Sequence, residues 1–227
     1  MGTDVVGRPR IKGLARPLLV GVTGTIGAGK SVLARAMAAS PGVKLLDADR
    51  IGHEALRPAS PLIPALVRRF GRDILAPGGG VDRRALARKV FASPGRVSAL
   101  NGVVHPWLLA TLCGRIARLN RRRGVAIVVV DAALLCEWGL SHGMDRVVVV
   151  DAPPAKRRLW LRERGLSLAQ IRSREAAQWP PSRKRRCGQI LVSNTGSERA
   201  LAGRGRRLVR DWLRRLQLPR LQGRMPS

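Results

Sequence analysis

The stretch that most constrains the fold is the glycine-rich sequence Gly-Thr-Ile-Gly-Ala-Gly-Lys-Ser at residues 24–31, which fits the phosphate-binding pattern G-x-x-x-x-G-K-[ST]. The apolar run 17–22 before it predicts a buried strand, and residues 31–39 after it predict a helix. Glycines let successive backbone N–H groups turn towards phosphate oxygens, and the helix N-terminus adds the positive end of its dipole. This strand–loop–helix unit predicts a protein that binds a nucleoside triphosphate.

The side chains of this loop have separate expected roles. Lys30 can reach the β- and γ-phosphates, and the Ser31 hydroxyl can ligate Mg²⁺, so the predicted ligand is a nucleoside triphosphate with Mg²⁺ as cofactor. The residues predicted to bind this ligand are Gly24, Thr25, Ile26, Gly27, Ala28, Gly29, Lys30, Ser31 and Val32.

Short apolar runs alternate with helical patterns along the rest of the chain. The runs 43–46, 125–130, 146–150 and 189–192 are rich in Val, Leu and Ile, as are parallel strands buried on both faces. The alternation predicts an α/β fold, a P-loop NTPase three-layer sandwich whose parallel sheet has helical insertions after the second and fourth strands. Pro106, inside a helical stretch at 98–120, predicts a kink or a new helix start.

Two carboxylates follow the predicted second strand. Asp47 and Asp49 come at its carboxyl end, the edge where ligands bind in open α/β sheets. If the segment stays extended, both side chains point the same way, towards the phosphates. Either could then accept a proton from an attacking hydroxyl or hold Mg²⁺ through water. The alternative is that both only cap the next helix.

A second acidic pair, Asp131 and Glu137, follows the third strand. Asp131 has the position of a carboxylate near Mg²⁺, but a helix cap for Asp131 and a surface position for Glu137 explain the pattern equally well. The five Trp residues are expected to pack in the interior rather than to bind ligands.

Charge and cysteine content restrict the setting. The 43 basic and 14 acidic residues give a net charge of +29, but no aromatic residues interleave the arginines as a base-stacking surface requires. We therefore attribute the arginine excess to composition and to a phosphate-rich small substrate, and expect any nucleic-acid binding to be incidental. The three cysteines lack Cys-x-x-Cys spacing and indicate reduced thiols of a cytoplasmic protein, and we expect no apolar run long enough to span a membrane.

Several motifs together resemble the dephospho-CoA kinase family over about residues 18–215. The P-loop is common to many kinases, whereas Asp-Ala-Asp at 47–49 and Leu-Asn-Gly-Val-Val-His-Pro at 100–106 are typical of this family. Further similar segments are 70–75, 81–87, 90–91, 131–137, 158–159, 166–167, 177–178 and 193–196.

The resemblance implies transfer of the γ-phosphoryl group of ATP to the ribose 3′-hydroxyl of dephospho-CoA. It makes Asp49 the general base, Lys30 and Arg162 further catalytic residues, and Ser31 with Asp47 the metal ligands. Arg158 and Arg164 remain alternatives to Arg162, because the spacing before Ser167 is one residue longer than usual. The residues that it implies for acceptor binding are Asp49, His53, Arg83, Arg84 and His105.

The resemblance also implies an organisation of the chain, with ATP and dephospho-CoA as small-molecule partners, no membrane partner, and a cytoplasmic monomer.

Val32 stands where a second hydroxyl residue is usual, which removes one possible phosphate contact. The alternatives are another small-molecule P-loop kinase, for a nucleoside monophosphate or a sugar acid, or a non-catalytic polyanion-binding P-loop protein. The predicted regions are a basic flexible leader at 1–16, a nucleotide-binding core at 17–49, 122–152 and 189–216, a helical acceptor-binding insertion at 50–121, a lid at 153–188 and a tail at 217–227.

Overall fold

A five-stranded sheet forms the centre of one of the two parts of the chain. The computed structural model describes residues 16–90 and 93–217, so most of the predicted leader and tail lie outside the described residues. The strand order is β2-β3-β1-β4-β5. The strands are β1 (Leu18–Gly24), β2 (Val43–Asp47), β3 (Ile127–Asp131), β4 (Arg146–Asp151) and β5 (Ile190–Ser193).

The valine-rich runs account for this sheet. β1 pairs in parallel with β3, with Val20 opposite Val129, and with β4, with Val22 opposite Val148. β4 pairs in parallel with β5. β3 is buried along its whole length, as expected for a strand covered on both faces. The predicted α/β P-loop fold is confirmed.

α-Helices follow β1, β2 and β4, and a further helix closes the described chain, whereas β3 is followed only by turns and a short 3-10 helix at Leu140–Gly143. Those that the sequence predicted are present to within a few residues, and α2 and α8 are additional. The helices are α1 (Lys30–Ala38), α2 (Ala48–Glu54), α3 (Ile63–Phe70), α4 (Arg83–Val90), α5 (Pro94–Asn120), α6 (Pro154–Glu163), α7 (Leu168–Ala176), α8 (Pro181–Cys187) and α9 (Glu198–Gln217).

The two additional helices have local causes. The Asp47 side chain accepts a hydrogen bond from the Arg50 N–H and so caps α2. Pro181 is the first residue of α8, a position that needs no N–H donor. Pro106 does not mark the start of a new helix, because α5 runs through it.

The described chain divides into two compact units. Residues 47–118 form one unit, and the described residues before and after them form the other. In the sheet-containing unit, strand valines pack with residues of α1 and α9, among them Leu33, Met37 and Val209. The helical unit has its own apolar cluster around Leu66, Phe70 and Leu86.

One helix does not agree with the expectation that no apolar run is long enough to span a membrane. Gly95–Asn120 is long and apolar enough to cross a membrane by length and composition, with a mean hydropathy of 1.2 over its most apolar part. A core helix of a soluble protein has the same composition. Leu108, Leu112 and Ile116, four residues apart, are buried, so one face of α5 packs inside the protein.

Candidate active site

The loop between β1 and α1 has a backbone shape that only glycine allows. Gly29, directly before α1, has a φ of 96°, and a Cβ atom there would lie 2.7 Å from Asn194 Nδ2. Gly27 has a φ of 78°, and its Cβ would lie 3.0 Å from the carbonyl oxygen of Arg157. Both positions need glycine for conformation and for space. The loop leads into the N-terminus of α1, where a phosphate group is favoured.

Asn194, directly after β5, holds this loop in place through its side chain. Its buried side chain donates a hydrogen bond from Nδ2 to the carbonyl oxygen of Ala28 over 3.0 Å, and its own N–H donates to the Asp151 carbonyl. The sequence singled out Asn194 only as part of the family resemblance, because the contact spans 166 residues.

The ammonium of Lys30 lies between a carboxylate and a hydroxyl. Lys30 Nζ is 3.2 Å from Asp131 Oδ1 and 3.3 Å from Ser31 Oγ. The Asp131 side chain is only 3% exposed, so a buried negative charge faces the P-loop cation. Of the two roles left open for Asp131, this contact favours the carboxylate beside the nucleotide phosphates.

Glu137 is an internal ion-pair partner, and the alternative of a surface acid is wrong. Its Oε1 accepts a hydrogen bond from the Trp179 N–H over 2.8 Å and lies 3.1 Å from Lys184 Nζ. Lys184 is 1% exposed and also donates to the Ala133 carbonyl oxygen. Burial of a lysine is tolerated because these acceptors satisfy its charge. The segment after β3 is thus fixed against α8.

Cys136 and Cys187 form a disulfide in the same place, with their Cα atoms 6.3 Å apart, which corrects the expectation of reduced thiols. The sequence spacing gave no signal, because the two residues are 51 positions apart and meet only when α8 packs beside the end of β3. Cys113 does not take part in this disulfide.

A cavity of about 290 Å³ adjoins the P-loop. Of the three arginines considered for the lid, Arg164 lines this cavity, whereas Arg158 pairs with Glu175 over 3.3 Å and Arg162 is exposed. Trp160, expected to be a packing residue, both contacts the core and lines the cavity. The other lining residues are Gly27, Gly29, Val32, Glu163, Asn194, Gly196, Ser197, Glu198 and Leu201.

Asp47 and Asp49 do not lie on one extended segment as expected. The chain turns into α2 at Ala48, because Asp47 Oδ1 accepts the Arg50 N–H over 2.9 Å. Asp47 therefore has a capping role, one of the two alternatives, and Asp49 is an exposed residue of the first helical turn.

The helical unit brings two of the predicted acceptor-binding residues together. Arg83 Nη2 lies 3.0 Å from His53 Nε2, and both residues line an open cavity of about 420 Å³. Arg57, which the sequence did not single out, lines the same cavity. The remaining lining residues are Leu56, Pro58, Ala76, Gly78, Gly80 and Val81.

Asp82 sets the start of α4, the helix that carries Arg83 and Arg84. Its carboxylate accepts the N–H groups of Ala85 and Arg84, and these bonds hold the pKa of Asp82 below its ordinary value. Arg84 is exposed on the same helix. His105 lies on α5, where burial lowers the pKa of its imidazole.

The sequence profile of the dephospho-CoA kinase family matches residues 18–199, which is most of the chain and includes all the predicted site residues. The chain belongs to the dephospho-CoA kinase family.

Alignments with individual relatives cover most of this chain and most of each relative. The dephospho-CoA kinase of Anaeromyxobacter dehalogenans is 37% identical over 194 residues, covering 85% of this chain and 91% of the relative. That of Corynebacterium glutamicum is 36% identical, covering 88% and 99%. A crystal structure of the protein TT1252 from Thermus thermophilus matches with a TM-score of 0.71 and 33% identity, covering 89% and 99%. The dephospho-CoA kinase from Campylobacter jejuni, 22% identical with a TM-score of 0.63, shares the fold.

The residues around Lys30 fit the magnesium ion that P-loop kinases generally use. The Ser31 hydroxyl and the Asp131 carboxylate flank the same ammonium and offer hard oxygen donors. Magnesium in kinases is held by one or two carboxylates together with substrate phosphates. Within residues 16–90 and 93–217, no cluster of three or more His, Cys, Asp or Glu side chains could hold a metal ion.

Proposed function

We propose that this member of the dephospho-CoA kinase family transfers the γ-phosphoryl group of ATP to the ribose 3′-hydroxyl of dephospho-CoA, giving coenzyme A and ADP. The observation that carries the proposal is the family match over residues 18–199 of a chain whose P-loop lysine faces the buried Asp131 carboxylate. The acceptor follows from the family, and the donor site follows from the loop itself.

On the donor side, the backbone amides of residues 27–32 and Lys30 would hold the β- and γ-phosphates. Ser31 and Asp131 would hold Mg²⁺, with Asp47 contributing through water, and the bound ion would neutralise charge on the phosphate oxygens. The cavity between the P-loop and α6 fits adenine, since Trp160 provides an aromatic surface and Asn194 a buried amide.

In the chemical step the 3′-hydroxyl oxygen forms a bond to the γ-phosphorus, and the bond from that phosphorus to the bridging oxygen of ADP breaks. Asp49 would accept the hydroxyl proton as the general base. Lys30 and Arg162 would stabilise charge on the transferring group, because such transition states spread charge over the equatorial oxygens. Arg164, at the cavity, would contact the nucleotide.

On the acceptor side, the helical unit would bind dephospho-CoA. Its cavity of about 420 Å³ is lined by Arg57, Arg83 and His53, which can bind the phosphate groups of the acceptor. Arg84 and His105 would extend this surface. In this arrangement residues 50–121 are the acceptor-binding insertion and 153–188 the lid of a cytoplasmic, monomeric enzyme.

The proposal is tested by measuring ADP release with dephospho-CoA, nucleoside monophosphates and sugar acids as separate acceptors, each with and without EDTA. We expect Mg²⁺-dependent turnover with dephospho-CoA and product phosphorylated at the 3′ position. Turnover only with a nucleoside monophosphate or a sugar acid would assign the chain to another kinase class. Tight, steeply salt-dependent nucleic-acid binding without acceptor phosphorylation would favour a polyanion-binding protein.

Variants test the assignment of residues in the same assay. Lys30→Ala and Asp49→Asn should each remove at least 99.9% of turnover, on the order of the loss expected for a central electrostatic or acid–base group. Lys44→Ala is the matched control, because Lys44 is an exposed lysine on β2. Retention of turnover in Asp49→Asn would show that another group accepts the proton.

A further inference from the structure

The P-loop residue Ile26 has both of its backbone polar groups bound by the predicted lid. Its N–H donates to Gln178 Oε1 over 2.9 Å, and its carbonyl oxygen accepts a hydrogen bond from Arg157 Nη1 over 3.2 Å. These partners are separated from Ile26 by 152 and 131 residues. A loop of glycines is therefore held from outside by two side chains.

Arg157 is fixed in this position by further contacts. Its side chain is 5% exposed, and Nη1 also lies 3.2 Å from Glu175 Oε1. Its Nε donates to the carbonyl oxygen of Ala152. Because Nε and Nη1 donate to these acceptors and the side chain is 5% exposed, Arg157 has a structural position against the loop.

Hydrogen bonds fix the backbone at Gln178 and at the next residue, and so orient the Gln178 side chain. Its N–H donates to the Glu175 carbonyl at the end of α7, and the next residue, Trp179, donates its N–H to Glu137 Oε1 over 2.8 Å. The Gln178 side chain therefore extends from an anchored turn to Ile26. Its amide oxygen is an uncharged acceptor, which matches a backbone N–H without adding a negative charge beside a phosphate site.

We propose that Gln178 is a positioning residue that holds the P-loop in its phosphate-binding shape by engaging the Ile26 N–H, with Arg157 engaging the opposite face of the same residue. Gly27 and Gly29, with φ values of 78° and 96°, leave the loop free to adopt other shapes. Restricting it before ATP arrives lowers the entropy lost on binding. The same contact couples the P-loop to the segment that carries Trp160 and Arg164.

This inference rests on the proposed function only for its turnover measurements, since nucleotide binding tests it directly. Gln178→Met keeps the length of the side chain and removes the acceptor. We expect it to raise the Kd for ADP by calorimetry and the KM for ATP about tenfold, the effect of losing one partly buried hydrogen bond. The KM for dephospho-CoA should change less than about twofold. Gln178→Glu keeps an oxygen acceptor but places a negative charge beside the phosphate site, so we expect it to recover the nucleotide affinity only in part.

Gln189→Met is the matched control. Gln189 Oε1 accepts the Val147 N–H over 2.7 Å, the same kind of bond placed away from the P-loop. It should lower the melting temperature and leave the Kd for ADP within about twofold. Should Gln178→Met fail to fold, Gln178→Asn, too short by one methylene to reach Ile26, gives the same comparison.

Equal Kd values in wild type and the Gln178 variants, or an equal change in the Gln189 control, would overturn the proposal and leave Gln178 a packing residue. Failure of the proposed function would look different. The wild type would then bind ADP without turning over dephospho-CoA, and the comparison of Kd values would still decide the role of Gln178.

Discussion

The Lys30 ammonium and the buried Asp131 carboxylate form an ion pair of 3.2 Å that joins the start of α1 to the end of β3. When ATP binds, Lys30 is expected to turn to the phosphates, which leaves Asp131 available to the metal. Asp131→Asn keeps the shape of the side chain and removes its charge. We expect turnover to fall on the order of a hundredfold and the Mg²⁺ concentration for half-maximal rate to rise.

The measurement is a Mg²⁺ titration of the initial rate. Asp151→Asn is a suitable control, because Asp151 ends β4, on the other side of β1, and also has an ion-pair partner, Arg185 at 2.9 Å. An equal effect of the two substitutions would contradict a metal-binding role for Asp131.

Asp47 can be tested for capping and for metal binding separately. Asp47→Ala removes the cap of α2 and should lower the free energy of unfolding by about 1 kcal/mol, whereas Asn caps as well as Asp does. If Asp47 also contacts Mg²⁺ through water, Asp47→Asn should leave the melting temperature unchanged and raise the Mg²⁺ requirement. Asp82→Asn, in the equivalent cap of α4, should leave that requirement unchanged. An unchanged requirement in both variants would limit Asp47 to capping.

Because the His105 imidazole is partly buried, we expect a specific pH dependence of stability. Burial lowers its pKa from the ordinary value of 6.5, so the folded protein binds this proton less readily than the unfolded chain does. Stability should therefore fall as the pH drops below 6.5 and level off below the folded pKa. The pH series of thermal melts for His105→Gln should lose this component. His142→Gln, at an exposed site, should keep it, and identical slopes in wild type and His105→Gln would refute the assignment.

The fold and the donor loop could be predicted from local sequence because their causes are local. Runs of β-branched residues specify buried parallel strands, and the P-loop motif fixes Lys30 and Ser31 relative to the start of α1. For Asp47 the local pattern allowed both a ligand on an extended strand and a helix cap, and only the structure decided for the cap of α2. The sequence pattern did not indicate α8, whose first residue is Pro181.

The contacts that complete the site could not be predicted because they depend on tertiary packing. Ile26 meets Gln178 only when the turn after α7 lies beside the P-loop, and the sequence provides no periodicity that links the two. The choice between a cap and a phosphate-facing role for Asp131 likewise depended on finding Lys30 beside it.

The Cys136–Cys187 bond should stabilise the protein measurably. It closes a loop with a sequence separation of 51, for which chain-entropy arguments give about 4 kcal/mol at most. Treatment with a dithiol, or the Cys136→Ser/Cys187→Ser double substitution, should lower the melting temperature by several degrees. Cys113→Ser is the control and should not respond in this way. Equal melting temperatures with and without the dithiol would mean that the bond adds no stability.

The lid arginines should separate into different kinetic effects. Arg164 lines the cavity beside the P-loop, so Arg164→Met is expected to raise the KM for ATP severalfold while kcat changes little. Arg162 is exposed in this structure, and a role in the transition state alone predicts that Arg162→Met lowers kcat by at least tenfold at unchanged KM. Arg172→Met, at an exposed arginine of α7, controls for the loss of one positive charge. A fall in kcat for Arg164→Met and none for Arg162→Met would transfer the catalytic assignment to Arg164, because the extra residue before Ser167 permits either register.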